Sequence, residues 1–213
     1  MTVVDVWLVD TSGVPPDDLR CVLDPAERQR CDGIRRPADA RRFVVAHGVT
    51  RRLVAGRLGT VAFRWVFGPN GKPSVDGGGV QVNLSHSGDL AMVALSAVRP
   101  VGVDVQQVLP GLDVAAMAAR FYPPAEAHVA GPDAFALLWA RKEAVVKAAG
   151  GRLTRGLAVP VAGPSPVLAE HDGPYVVADV EAPAGFRAAV ALAGTEPFTV
   201  QVHHYEPNAA THR

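Results

Sequence analysis

The feature that most constrains this chain is a stretch that occurs twice. Residues 91–105 read AMVALSAVRPVGVDV, and residues 188–202 read AAVALAGTEPFTVQV. At a constant offset of 97, seven of the fifteen positions are identical: 91/188, 93/190, 94/191, 95/192, 100/197, 103/200 and 105/202. Both copies read as strand, turn, strand. Each is matched upstream by a Pro-Ala-Glu helix start, at 25–27 and 124–126, followed by a long helix. Agreement of order as well as identity points to duplication. The expected fold is α+β, a pseudo-dimer of two similar α/β halves related by a pseudo-twofold. The boundary is expected near Arg99-Pro100, giving halves at 1–99 and 100–213. A cleft between such halves is where a small ligand binds.

The copies differ at one informative position. The first carries Asp104 where the second carries Gln201. Residues 101–108, V-G-V-D-V-Q-Q-V, alternate with period 2. Alternation puts Gly102, Asp104 and Gln106 on one face and the valines on the other. Asp is depleted in strands, and a solvent-facing edge strand is the plain explanation for one. The lack of an acid in the second copy argues against it. Gly102 leaves room on the polar face.

The rest of the chain reads coarsely. Strands are expected at 3–9, 61–67, 79–84, 90–96 and 101–107, with G-P-N-G-K-P after 67 as a turn. A helix begins behind Asp24 as N-cap with Pro25 in its first position. A second runs over 39–57 and a short one over 112–120. Another starts at Pro123-Pro124, and the strongest covers 133–148, stopped by Gly150-Gly151. Residues 158–202 read as strands between Pro/Gly turns, and the tail from about 206 as flexible.

With 213 residues, 48% of them hydrophobic, the chain can build a sizeable core. Its formal net charge of zero makes it no general magnet for nucleic acid or membrane. Residues 20–57 nevertheless hold ten arginines against four acids. Such a patch suits a phosphate-bearing ligand or an acidic partner. The two cysteines, Cys21 and Cys31, make no disulfide framework. The N-terminus lacks the pattern of a signal peptide, and no apolar run nears the roughly 18 residues of a membrane span. A cytoplasmic monomer is expected.

A second constellation lies in W-A-R-K-E-A-V-V-K, residues 139–147. Trp139, Glu143 and Lys147 share one helical face at i, i+4 and i+8. A surface Glu–Lys pair would be worth tenths of a kcal/mol, but Trp139 draws this face toward the core or a cleft. Asp104 and Glu143 supply hard oxygen ligands, and magnesium is typically held by one or two carboxylates plus water and substrate phosphate. Lys147 stands one turn from Glu143, within reach of a phosphate oxygen. Ser85 and His86, in N-L-S-H-S (83–87), are candidate phosphate donors, and Lys72 and Arg42 add cations. This set suits phosphoryl-type transfer.

N-L-S-H-S (83–87), V-G-V-D-V (101–105), F-Y-P-P-A-E (121–126) and W-A-R-K-E-A-V-V-K (139–147) resemble, in order and spacing, the Sfp-type 4′-phosphopantetheinyl transferases. G-K-P (71–73) and D-P-A-E-R (24–28) also fit. The resemblance implies transfer of the 4′-phosphopantetheine arm of coenzyme A to a serine of an apo acyl or peptidyl carrier protein, as in polyketide or nonribosomal peptide biosynthesis. Adenosine 3′,5′-bisphosphate is released. It implies Asp104 and Glu143 as magnesium ligands and Lys147 as the diphosphate contact. It implies Arg30, Arg42, Lys72, Ser85 and His86 as coenzyme A contacts, and Glu126 as the acid of the F-x-x-x-x-E block. The general base is left open among Glu143, Glu126 and a metal-bound water. Many relatives carry D-x-E where this chain has Asp104-Val-Gln106, so Gln106 is either a ligand or the holder of a metal-bound water. Phe43 stands where some relatives have a hydroxyl residue. Leu112, Val114, Met117 and Phe121 suggest a docking patch for the carrier, or simply core. A competing reading is a non-catalytic nucleotide- or nucleic-acid-binding module using the 20–57 arginines, although that segment offers no aromatic stacking platform.

Overall fold

The computed structural model describes residues 1–152 and 156–207. The element order is β1 (Thr2–Asp10), α1 (Asp17–Arg20), α2 (Pro25–Asp32), α3 (Pro37–Leu58), β2 (Trp65–Phe67), β3 (Pro73–Val75), β4 (Gln81–Ser87), β5 (Leu90–Ser96), β6 (Val101–Gln107), α4 (Val114–Phe121), α5 (Pro132–Ala149), β7 (Val167–Glu170), β8 (Pro174–Val180), β9 (Phe186–Ala193) and β10 (Phe198–His204). The tail expected from about 206 falls outside the described residues from 208 onward.

The helix boundaries follow local chemistry. Asp24 caps α2 in a capping box: its side chain accepts from the Glu27 N–H, and the Glu27 carboxylate accepts from the Asp24 N–H. Proline opens α2, α3 and α5. Gly59 and Gly150 close α3 and α5 in the left-handed conformation. Two expected elements shrink. Of 61–67 only Trp65–Phe67 is strand, because the Thr60 hydroxyl accepts from the Ala62 N–H and bends the chain first. The helix expected at Pro123-Pro124 is one 3-10 turn, Pro124–Glu126. It ends at Ala127, and α5 starts anew at Pro132 behind Gly131 at φ +122°.

Two four-stranded sheets carry the fold. The first has the order β10-β1-β5-β4, with β10 parallel to β1 and the other pairs antiparallel. The second is antiparallel, β6-β9-β8-β7. A short hairpin, β2–β3, stands apart. One core lies between the sheets: Val4, Val6, Met92 and Ala94 from the first meet Val101, Val103, Val105 and Val190 from the second. The other face of the first sheet is covered by α3, where Val9 and Ala91 meet Val45 and Val49. The other face of the second is covered by α5, where Ala189 and Ala191 meet Ala140, Ala144 and Ala148.

The repeated stretch is legible in this arrangement. Its first strands, β5 and β9, each take an interior place in their own sheet. Its second strands, β6 and β10, each lie at a sheet edge, and β10 crosses back to join the first sheet beside β1. The divergent position separates the two edges. Gln201 on β10 is exposed, whereas Asp104 on β6 is 4% exposed beneath α5. The solvent-facing explanation therefore holds for the second copy and fails for the first. The Pro-Ala-Glu motifs share a device as well. Each ends in a buried acid paired with a cation from the next long helix, Glu27 with Arg51 of α3 and Glu126 with Lys142 of α5. An aromatic ring lies under each cation, Phe63 and Trp65 in the first case and Tyr122 in the second.

Candidate active site

The strands β4 and β6 are edges of different sheets, and side chains join them. The Asn83 Oδ1 accepts from the Val103 N–H (2.9 Å), the Ser85 Oγ from the Val105 N–H (3.4 Å) and the Ser87 Oγ from the Gln107 N–H (3.0 Å). That is why polar residues alternate in N-L-S-H-S: each satisfies an edge N–H that no neighbouring strand reaches.

The middle rung builds the site. Ser85 donates to Asp104 Oδ1 (2.7 Å). Lys147, from α5, donates to the same Oδ1 (2.6 Å) and to Ser85 Oγ (2.9 Å). The Ser85 hydroxyl thus gives its one proton to Asp104 and accepts from Lys147 and Val105. Burial pushes the Asp104 carboxyl up, opposed by the Lys147 charge and by these hydrogen bonds. Glu143, one turn before Lys147, makes no hydrogen bond or ion pair among the described residues. Burial first, then the charge of Asp104, raises its carboxyl to about 7, against the pull of Lys147.

Close packing aims these groups. A Cβ on Gly102 would lie 2.0 Å from the Ala144 carbonyl oxygen and 2.4 Å from the Ala148 nitrogen. The space left by Gly102 therefore belongs to the backbone of α5 rather than to a ligand. Gly102→Ala is expected to push α5 off β6 and destabilise the fold by about 1–3 kcal/mol, measurable by urea denaturation; an unchanged midpoint would contradict this packing.

A group of basic side chains adjoins the seam. His86 is exposed on one side, and its pKa is lowered first by loss of water and then by the charges of His47, Lys147, Arg42 and Arg30. Those groups therefore converge on it. Arg42 is held by Asp39 and Asp89, both at 2.8 Å. Arg30 lies 5.3 Å from the centre of the Phe43 ring, and His47 stacks on that ring at 4.0 Å. The His47 Nδ1 stands 3.4 Å from Glu27 Oε1. His47 is absent from the sequence-based set, although its i, i+4 spacing to both Phe43 and Arg51 places it on their helical face.

Three further expected site residues have partners of their own. Lys72 donates to the carbonyls of Val101 (3.1 Å) and Ala148 (2.5 Å), and burial lowers its ammonium to about 8. Glu126 is 4% exposed, and both its oxygens are taken. Its Oε1 accepts from the Val161 and Ala162 N–H groups (both 2.6 Å), and its Oε2 accepts from Lys142. The Gln106 amide donates to the Gln107 carbonyl (3.1 Å). Among the described residues, no group of three or more His, Cys, Asp or Glu side chains is arranged to hold a metal. The paired carboxylates of Asp104 and Glu143 are a donor set of the hard-oxygen kind that magnesium uses when water and phosphate complete its shell. Most of the 20–57 arginines are engaged within the fold: Arg20 with Asp32, Arg51 with Asp24 and Glu27, Arg57 with Asp5, and Arg41 with the carbonyls of Thr11, Ser12 and Val14.

Comparison with known proteins bears on this geometry directly. Residues 100–189, from β6 into β9, match the model of the 4′-phosphopantetheinyl transferase superfamily. The chain is 30% identical over 164 residues to a candidate 4′-phosphopantetheinyl transferase, slr0495, of Synechocystis sp., covering 71% of this chain and 67% of that protein. The chain belongs to the 4′-phosphopantetheinyl transferase superfamily. It is similar in the same way to the 4′-phosphopantetheinyl transferase HetI of Nostoc sp., 30% identical over 151 residues and 64% of that protein's length. A 4′-phosphopantetheinyl transferase of Bacillus subtilis is 28% identical over 156 residues and 66% of its length. The chain thus spans about two thirds of each relative. The superfamily match contains Asp104, Glu126, Glu143 and Lys147. No helix among the described residues of this transferase-family chain is long and apolar enough to cross a membrane.

Proposed function

We propose that the chain moves the 4′-phosphopantetheine arm of coenzyme A onto a serine of an apo acyl or peptidyl carrier protein, as an Sfp-type member of its superfamily. The observation that carries this is the buried Asp104–Lys147 contact with Glu143 beside it. Two carboxylates and the Lys147 ammonium come together beside the charges of Arg30 and Arg42. Asp104 and Glu143 would hold magnesium, which supplies charge neutralisation for a diphosphate. Arg30, Arg42, His86 and His47 would meet the nucleotide phosphates. The two halves, 1–99 and 100–213, read as the units of a pseudo-dimer with this site at their junction.

In this reading the serine oxygen forms a bond to the phosphorus nearest pantetheine. The bond from that phosphorus to the bridging oxygen breaks, and adenosine 3′,5′-bisphosphate leaves. Lys147 moves its ammonium from Asp104 to the phosphate oxygens as charge develops there. The serine proton passes to Glu143, whose raised pKa suits a base at neutral pH, or to a water beside it. Glu126 is withdrawn from that choice, since its oxygens already serve Lys142, Val161 and Ala162.

The carrier meets the protein at α4. Leu109 and Leu112, just before that helix, and Phe121, at its end, are exposed. Val114 and Met117 are half-buried and pack against the cluster of Tyr122, Phe135 and Leu157. Gln106→Glu, adding a third acid to the face of β6 that carries Asp104, is expected to lower the magnesium needed for half-maximal transfer several-fold; an unchanged titration would mean the side chain stays on Gln107. The function itself is tested by incubating the protein with coenzyme A, magnesium and a panel of apo carriers. A phosphopantetheine mass gain on a carrier serine supports it. No gain on any carrier, together with salt-sensitive DNA binding that needs neither magnesium nor coenzyme A, would replace it with the binding-module reading.

A further inference from the structure

The last carbonyls of a helix have no partners within the helix. At the C-terminus of α5 they are taken by a turn distant in sequence. Lys72 donates to the Ala148 carbonyl (2.5 Å) and, with the same ammonium, to the Val101 carbonyl at the start of β6 (3.1 Å). Asn70 donates its amide to the Gly150 carbonyl (2.9 Å), and its own Oδ1 accepts from Arg152 (3.2 Å). Gly150 is at φ +68°, and a Cβ there would lie 3.3 Å from the Lys72 Cδ, so the turn sits directly against the helix end. Positive charge at a helix C-terminus is favourable.

The positions of these contacts matter. Val101 lies three residues before Asp104 on β6. Ala148 directly follows Lys147, and Glu143 is just over one turn earlier on α5. A single ammonium therefore ties together the strand and the helix that carry the paired carboxylates. Gly102, beside Val101, brings the two backbones into contact at the same level.

We propose that Lys72 is a positioning residue: with Asn70 it clamps the end of α5 to β6 and so fixes Glu143 and Lys147 against Asp104, without touching substrate. The catalytic part of this inference rests on the function proposed above. The clamp itself does not, so the two can fail separately.

The test uses the full chain with Lys72→Met, Lys72→Arg and Asn70→Ala, read by steady-state kinetics and by amide hydrogen exchange across residues 145–151. Misplacement on the scale of an ångström can cost about 100-fold in rate. Lys72→Met is expected to lower kcat by about 10- to 100-fold while leaving KM for coenzyme A within about twofold. Lys72→Arg, which keeps the cation, should recover part of the loss. Asn70→Ala should lower kcat in the same direction by less, and both Lys72→Met and Asn70→Ala should speed exchange in 145–151 but not in α3. A raised KM for coenzyme A with kcat unchanged would make Lys72 a substrate contact and overturn the inference. Unchanged exchange in 145–151 would overturn it too. If Lys72→Met does not fold, the exposed Asn70→Ala decides the question by the same exchange readout. If the wild type transfers nothing to any carrier, the proposed function falls, and the exchange data still decide the clamp.

Discussion

Glu143→Gln is expected to abolish transfer, by about 10³-fold or more, and at the same time to stabilise the metal-free protein at alkaline pH. Both effects come from one environment. Burial and the charge of Asp104 raise the Glu143 carboxyl from 4.5 to about 7. The folded chain therefore binds this proton more tightly than the unfolded chain. The associated stability is fully present below the unfolded value and is lost as pH rises through about 7. Above that, the wild type holds an ionised carboxylate against Asp104, and glutamine does not. Metal-free melting curves should place Glu143→Gln above the wild type at pH 8, with the two converging below about pH 5. Near-normal turnover by this variant would refute the mechanism. Melting curves that do not cross-shift with pH would refute the electrostatic account of the site.

Glu126→Ala is expected to cost about 3–5 kcal/mol, because it leaves the Lys142 ammonium buried without its counter-charge. Lys142 is fully buried, with the Val159 carbonyl (2.5 Å) and the face of Tyr122 as its remaining partners. Two further donors, the Val161 and Ala162 N–H groups, would also lose their acceptor. Against a typical total stability of about 5–15 kcal/mol, that is a large share. Urea denaturation measures it, and a loss under about 1 kcal/mol would show that water or repacking satisfies Lys142. The paired replacement Glu126→Gln with Lys142→Met removes both charges and should recover most of the stability. If it also recovers transfer, Glu126 acts through the fold. If stability returns and transfer does not, Glu126 regains its candidacy as the base.

The elements that hold the candidate site were legible because they are periodic. The alternation of β6 put Asp104 opposite the valines, and the 3.6-residue period of α5 put Glu143 and Lys147 on one face. The internal repeat marked Asp104 as a position where the first copy carries an acid and the second does not. What stayed hidden depends on contacts between distant segments. The Ser85 hydroxyl, a candidate phosphate donor, also bridges Asp104 and Lys147, because β4 and β6 are edges of different sheets, a relation no local pattern carries. Lys72 looked like part of a nucleotide-binding turn, while its ammonium caps a helix 76 residues further along the chain. Gly102 was read as leaving room on the polar face of β6, and the Ala144 and Ala148 backbone of α5 takes that room. The Pro123-Pro124 helix start gave way to one 3-10 turn, from which Glu126 turns inward to Lys142 and the Val161 and Ala162 N–H groups. His47 escaped notice because its role arises from Phe43 on its own helix and Glu27 on another.

The central claim is that Asp104 and Glu143, on different elements, form one divalent-cation site. Calorimetric titration of magnesium into the protein with coenzyme A present tests it most directly, using the wild type, Asp104→Asn and Glu143→Gln. The expected result is saturable binding by the wild type and its loss in both variants, each of which should remain folded. Wild-type-like magnesium binding by either variant would contradict the claim.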